Sequence, residues 1–342
     1  MRWTLTEDQE LFRDSFWGWL ERFAPVQTVR GWLESGDPGE FERRFVEDGW
    51  FTVGTAEELG GQGGGLVELA LAAEQLGRAA APSSAWLASV LAAPFLPGSP
   101  DVAEASLAEG EFAVLALNAS RPLDEDTGGT AYVLGGDRAR RFLVPGAAGL
   151  RIVESSDVDT APRKLLDRSR SVADVTIPPS GGSTVDVDTA GMRRRAASRA
   201  AVLVAADSLG AAERMLELAV EYSKQRQQFG VPIGSFQAVK HAAAQMLVDV
   251  EAARSLVYYA AASVEQGHEE CELHAAAAKA QVCAVAERAA DAALTLHGAI
   301  GYTWEHDLHL FYKRAKLNNR LFGSPAVWNE RLAAALPLVA VA

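Results

Sequence analysis

Three long, alanine-rich helical patterns in the C-terminal half constrain the fold more than any other feature of the chain. Apolar residues recur at helical spacing over residues 190–229, 235–266 and 269–297. A shorter pattern covers residues 305–320, and another short helix is expected after Pro325. Helices this long and this rich in alanine are typical of an antiparallel bundle. The sequence therefore predicts a C-terminal helical bundle.

The first two long patterns meet at a corner, residues 222–240, that cannot continue a helix because Gly230 and Pro232 interrupt it. The spacing predicts Gly230 as the C-cap of the first helix. Basic, amide-bearing and aromatic side chains precede this glycine at Lys224, Gln225, Arg226, Gln227, Gln228 and Phe229. Spacing alone fits two interpretations equally well. One is an ordinary helix turn, and the other is a site in which Arg226 and Phe229 hold an anionic, aromatic ligand.

The rest of the chain divides into a helical and a β-rich part. Thr6 is a predicted N-cap, and helical patterns continue through residues 41–49 and 67–80. Short apolar runs separated by turn residues then occupy 112–117, 130–134, 141–144, 150–153 and 171–177. We therefore predict an α+β, mostly α protein. Its domains are a helical domain at 1–110, a reduced β-domain at 111–188 and the bundle at 189–342.

Charge and composition argue against a nucleic-acid-binding, membrane-spanning or disulfide-rich secreted protein. A net charge of −13 argues against non-specific nucleic-acid binding. Charged residues interrupt every apolar run before the roughly 18 to 20 residues of a membrane helix, and the acidic N-terminus has no signal-peptide pattern. The two cysteines, Cys271 and Cys283, are too few for a disulfide framework. We expect a cytoplasmic protein.

Four motifs, in order, carry a resemblance to a known family. They lie at residues 5–14, at 48–50 with 58–63 and 74–78, at 226–237, and at 296–303. In this pattern the chain resembles the acyl-CoA dehydrogenase family over nearly its whole length. The resemblance implies an FAD-dependent oxidoreductase that converts an acyl-CoA thioester to the 2-enoyl-CoA. In the family, a glutamate removes the α-proton while a hydride passes to the flavin.

The resemblance also implies a set of cofactor-binding residues, which would contact the pyrophosphate and adenine side of an FAD shared across a subunit interface. Arg226 would supply charge to the pyrophosphate, and Phe229 an aromatic face. At Thr295 the family has a glutamine, so a hydroxyl replaces the amide. The complete predicted set is Arg226, Gln228, Phe229, Gln237, Thr295, Leu296 and Gly298.

The chain departs from the family pattern where the chemistry occurs. Phe322 and Ala200 occupy the two positions at which family members carry the catalytic glutamate, so we predict no catalytic residue. The nearest carboxylates to Ala200 in sequence are Asp188 and Asp207. Residues 117–122 and 135–138 lack the family's isoalloxazine-binding sequences. We therefore predict that a partner subunit holds most of the flavin ring.

These departures resemble the non-catalytic subunit of the heterotetrameric (α2β2) acyl-CoA dehydrogenases of actinobacteria, which act on bulky thioesters such as steroid side chains. The implied partners are a base-bearing subunit, its acyl-CoA substrate and an electron acceptor such as electron-transfer flavoprotein. Two alternatives stay open. One is a self-sufficient homotetrameric flavoenzyme with a relocated base, and the other is a flavin-free interaction protein.

Several single residues have a less specific interpretation. Glu330 is the remaining candidate for an unorthodox base, and His297 lies inside a motif. His306 and His309 lie three residues apart on a predicted helix, which is better explained by a solvated or interface face than by a metal site. We predict no metal.

Overall fold

A computed structural model describes residues 4–57, 60–95, 111–125 and 130–336. Two residues of the second family-like motif, Glu58 and Leu59, lie outside the described residues. The fold is mostly helical, with small sheets between two groups of helices, which confirms the predicted α+β class. No described helix is long and apolar enough to span a membrane.

In the part of the chain that the structure describes, five α-helices precede the sheets: α1 (Glu7–Phe23), α2 (Val26–Ser35), α3 (Gly39–Glu47), α4 (Leu66–Arg78) and α5 (Ser84–Ala92). Thr6 caps α1 in a reciprocal capping box with Gln9, as the sequence predicts. Helix α2 was not predicted; it is short and buries only Val29, Trp32 and Leu33.

The middle of the chain forms two sheets from strands β1 (Ala113–Leu115), β2 (Val133–Leu134), β3 (Arg141–Gly146), β4 (Gly149–Glu154), β5 (Asp159–Arg163), β6 (Val172–Thr176) and β7 (Ser183–Val185). One sheet has the order β1-β3-β4-β7, in which only the β1–β3 pair is parallel. The other has the order β2-β6-β5 and is antiparallel. Strands β5 and β7 were not predicted.

The bundle contains α6 (Thr189–Gln225), α7 (Gln237–Glu265), α8 (Cys271–His297), α9 (Leu308–Arg320) and α10 (Pro325–Ala335). Small side chains let α6 approach α4 closely. A Cβ atom at Gly210 would lie 1.8 Å from the carbonyl oxygen of Glu74, and one at Gly77 would lie 2.0 Å from that of Asp207. A larger residue at either glycine would therefore separate the two helices.

The predicted C-cap at Gly230 is wrong. Helix α6 ends at Gln225, and Arg226 is its C-cap in an extended conformation. A short hairpin follows, in which β8 (Gln227–Gln228) pairs with β9 (Val231–Pro232). Gly230 instead lies in the turn of this hairpin, because a two-residue hairpin needs residues with positive φ.

Candidate functional site

The corner between α6 and α7 is a tight β-hairpin that directs two side chains into solvent. Its two turn residues, Phe229 and Gly230, have φ values of +54° and +80°. The amide of Ile233 donates to the carbonyl of Arg226 at 2.8 Å and closes the hairpin. Positive φ is natural for glycine but unfavourable for phenylalanine, because its Cβ crowds the backbone. The hairpin therefore holds Phe229 in a strained conformation.

The side chain of Phe229 makes few contacts within its own chain that could offset this strain. Its side chain is 92% exposed, and its ring contacts the edge of Phe236 at a centroid distance of 6.1 Å. Arg226 is also exposed, and its side chain makes no hydrogen bond or ion pair with the described residues. Backbone strain and an exposed aromatic ring together are typical of a binding surface.

The second group of predicted cofactor residues lies at the same end of the bundle. The ring of His297, at the end of α8, stacks on Tyr222 near the end of α6, with centroids 4.7 Å apart. Thr295 and Gly298, on either side of this histidine, are exposed, and the Thr295 hydroxyl donates to the Asp291 carbonyl at 2.9 Å. The fold therefore links the hairpin to residues 295–298 within one chain.

The remaining two predicted residues have different surroundings. Gln237 is the exposed first residue of α7, directly after the hairpin segment, whereas Leu296 is half-buried at the end of α8. His297 itself is buried and its Nδ1 lies 2.7 Å from the Ala293 carbonyl. Burial lowers the pKa of His297 below its usual value. Its described contacts are those of a packing residue.

The first of the two family base positions is part of the hydrophobic core. Phe322 follows α9 and is 2% exposed, with its amide donating to Ala119 and its carbonyl accepting from the Trp328 indole. It lines a cavity of about 10 Å³ whose lining residues all have apolar side chains. The lining residues are Ala88, Leu91, Leu115, Leu117, Leu123, Leu134 and Phe322. This volume holds one water molecule at most.

The second base position, Ala200, is fully buried in the middle of α6. The two carboxylates nearest to it in sequence have other partners. Asp188 caps α6 by accepting from the Gly191 amide at 3.0 Å. Asp207 is buried between the guanidinium groups of Arg170 and Arg314. Glu330, the other candidate base, is exposed on α10.

Sequence reasoning missed a buried acidic residue that the structure partners with α7. Glu74 on α4 accepts from the Arg254 guanidinium and from the Tyr258 hydroxyl. Burial raises the pKa of Glu74 although Arg254 opposes this effect. Glu74 lies in the third turn of α4 and directly follows an apolar run at residues 69–73, which was the available signal. Because both carboxylate oxygens have partners, Glu74 serves to join α4 to α7.

A larger cleft lies beside the segment at residues 119–120. Its volume is about 490 Å³, and Tyr132, Tyr312, Leu317 and Leu321 contribute apolar surface to it. Its charged lining consists of four cationic residues and one acidic residue, which are Lys164, Lys313, Lys316, Arg320 and Asp167, so the lining is cationic on balance. The size is within the usual range for small-molecule sites. The cleft could therefore accept an anionic ligand with an apolar part.

Comparison with known proteins identifies the family. The chain matches the acyl-CoA dehydrogenase N-terminal domain at residues 6–107 and the C-terminal domain at residues 192–336. Acyl-CoA dehydrogenase IpdE2 of Mycobacterium tuberculosis is 35% identical over 341 residues, which cover 96% of this chain and 97% of the relative.

Two solved structures share the fold at lower identity. The ChsE4-ChsE5 complex of Mycobacterium tuberculosis has a TM-score of 0.82 at 24% identity, over 99% of this chain and 100% of the matched chain. A variant of the Tcur3481-Tcur3483 steroid ACAD has a TM-score of 0.86 at 22% identity, over 97% and 98% of the two chains. With these matches over both helical regions and nearly the whole length, the chain belongs to the acyl-CoA dehydrogenase family.

Proposed function

We propose that this chain is the non-catalytic subunit of a heteromeric, FAD-dependent acyl-CoA dehydrogenase and completes the cofactor site of a base-bearing partner. The observation that carries the proposal is the contrast between two places in the chain. The base position at Phe322 is filled by apolar side chains, whereas Arg226 and Phe229 are exposed in a strained hairpin. Neither family base position, Phe322 or Ala200, offers a carboxylate for proton abstraction, whereas Arg226 and Phe229, which are proposed to bind the cofactor, face solvent.

The exposed residues fit the adenosine side of FAD. A guanidinium pairs well with a pyrophosphate, and an exposed phenylalanine offers a face for an aromatic ring. Arg226, Gln228, Phe229 and Gln237 would contribute from the hairpin side, and Thr295, Leu296 and Gly298 from the end of α8. When bound, FAD would supply the hydride acceptor. This chain would bind and orient its distal part while the partner holds the reactive ring.

Similar proteins support the proposed substrate and assembly. One structural relative is a steroid ACAD, and another is a complex of two differently named chains. We therefore propose a bulky, steroid side-chain-like acyl-CoA as the substrate of the complex and an α2β2 assembly. Electron-transfer flavoprotein is the proposed class of electron acceptor. The cavity at the family base position beside Phe322 is too small for an acyl group, which supports binding of the acyl group in the partner.

Co-expression with a base-bearing acyl-CoA dehydrogenase subunit tests the proposal. We expect the isolated chain to purify with little or no FAD and without activity, and the complex to contain FAD and oxidise acyl-CoA. Exchanging Arg226→Gln in the complex should lower the FAD content, because it removes the charge offered to the pyrophosphate. Full flavin loading and activity in the chain alone would contradict the proposal.

The cationic cleft supports a second candidate, a self-sufficient flavoenzyme with a relocated base. Its volume of about 490 Å³ beside residues 119–120 leaves room for a ring system. Yellow colour and visible flavin absorbance in the isolated chain would favour this alternative. Loss of that absorbance in a Tyr132→Ala variant, but not in Arg226→Gln, would assign the flavin to the cleft.

A further inference from the structure

The connection between α7 and α8 brings together two histidines and a glutamate that the proposed function does not use. Gly267, with φ of +65°, lies two residues after the end of α7, and the amide of His268 donates to the Ser263 carbonyl at 3.0 Å. This turn places His268 opposite the first turns of α8. One potential ligand atom each from His268, Glu270 and His274 lies within 4.8 Å of the other two.

The ring of His274 is held by its neighbours rather than free to rotate. Its Nδ1 lies 2.7 Å from the hydroxyl of Ser263, which is fully buried on α7. The ring also meets the edge of Tyr259 at 4.8 Å and the ring of His268 at 5.2 Å. Because Nδ1 is engaged by Ser263, Nε2 is the nitrogen of His274 that is left for a metal ion, and hydrogen bonds of this kind orient metal-binding histidines.

The surrounding charges favour a cation here. Glu269, Glu270 and Glu272 add negative charge within the same short segment. These carboxylates attract a divalent cation to the segment.

We propose that His268, Glu270 and His274 bind one divalent transition-metal ion of the Zn²⁺ or Ni²⁺ type at the α7–α8 connection. Two imidazoles and a carboxylate suit such ions better than Mg²⁺ or Ca²⁺, which prefer oxygen ligands. Water would fill the remaining coordination positions. Bound there, the ion would clamp the ends of two of the longest helices. The H-x-E-x-x-x-H spacing of these residues is separate from the His306 and His309 pair, for which the sequence favours a solvated or interface face.

Coordination needs only local adjustment. Ligand bonds of about 2.0–2.1 Å require the three side chains to close toward one another. His268 Nδ1 accepts a hydrogen bond from the Glu270 amide at 3.1 Å. If this nitrogen binds the ion, water can replace it as the amide's partner, because Glu270 is exposed.

Titration of the untagged full chain with ZnCl₂ and with NiCl₂, followed by calorimetry and thermal unfolding, tests the site. We expect saturable binding of one equivalent and a rise in Tm that EDTA reverses. His274→Ala and Glu270→Gln should abolish both effects. Ser263→Ala, which leaves all three ligands in place, should weaken binding roughly 10- to 100-fold.

His241→Ala is the matched control. This exposed histidine lies on the same helix as Ser263, and 22 residues of helix separate them by about 33 Å. Its removal should leave binding unchanged. Absence of saturable binding in the natural sequence, or equal binding in a His274→Ala chain with an unchanged circular dichroism spectrum, would overturn the proposal. Neither result depends on a partner subunit or on FAD.

Discussion

Phe322 is the residue on which the proposed non-catalytic role most directly depends. We expect Phe322→Glu to create no dehydrogenase activity in the isolated chain. The new carboxylate would lie among leucines in a space of about 10 Å³, where an unpaired charge is costly. The loss of aromatic packing adds to this cost, so the free energy of unfolding should fall by at least about 3 kcal/mol. Urea unfolding measures this change.

The control at this position is Phe322→Leu, which keeps an apolar side chain. It should lower the free energy of unfolding by much less, because the cavity that it leaves remains apolar. A stable Phe322→Glu chain with dehydrogenase activity would mean that the interior still accommodates a substrate and a base. That result would favour the self-sufficient enzyme over the proposed partner subunit.

At the scale of elements, the β8–β9 hairpin holds Phe229 exposed and with positive φ, a backbone conformation that destabilises the fold. Phe229→Asn should leave the stability of the isolated chain unchanged or raise it by up to about 1 kcal/mol, because asparagine tolerates positive φ. The same exchange should lower the FAD content of the co-purified complex, since the aromatic face is lost. Urea unfolding and the flavin-to-protein absorbance ratio measure the two effects.

Leu11→Asn is the comparison for this variant, since Leu11 is 66% exposed on α1, outside the hairpin. It should leave the FAD content unchanged. If Phe229→Asn instead destabilised the isolated chain and left the FAD content intact, the hairpin would be an ordinary helix connection.

The elements that the sequence predicts well are those with a repeating buried face. The bundle helices begin and end within a few residues of their predicted limits because buried alanines recur along them, as at Ala196, Ala200 and Ala219. Strand β5 has no such signal, because all five of its residues are exposed and one is a proline. Helix α2 is only ten residues long and contains Gly31, which obscures its pattern.

The candidate site was predictable in part. The sequence indicates residues 226–229 because Gly230 and Pro232 interrupt a long helical pattern directly after them. The family resemblance adds residues 295–298 to the predicted site. The two groups of residues are brought together by the stacking of Tyr222 on His297, which lie 75 residues apart in the chain. A contact over this sequence separation could not be predicted from local periodicity. The positive φ of Phe229 was also hidden, because the sequence gives no reason to expect a bulky residue there.

For the whole molecule, a buried ionic network around Asp207 connects the three regions of the chain. The Asp207 carboxylate accepts from Arg314 Nε at 2.8 Å, from Arg170 at 2.7 Å and from the Asn318 amide at 2.6 Å. The two guanidinium groups also reach Ser83, after α4. Asp207 lies on α6, Arg314 on α9 and Arg170 just before β6. The network thus joins both helical groups and a sheet.

Asp207→Asn should therefore lower the free energy of unfolding at pH 7 by about 3–5 kcal/mol, because it leaves two buried guanidinium groups without their shared counter-charge. Urea unfolding followed by circular dichroism measures the change. Asp14→Asn is the control, since it removes one member of an exposed ion pair with Arg13. Its effect should be about 1 kcal/mol or less.

The pH dependence of this difference distinguishes a charge effect from a loss of shape. Burial alone would raise the pKa of Asp207, but Arg170 and Arg314 outweigh it and hold the pKa below its usual value. A lowered folded-state pKa means that the carboxylate contributes stability above its unfolded value of about 3.9. This contribution is lost as the pH falls through the folded-state value. The stability gap between the natural chain and Asp207→Asn should therefore shrink below about pH 4. A gap that stays constant as the pH falls into that range would assign the cost to packing instead of charge.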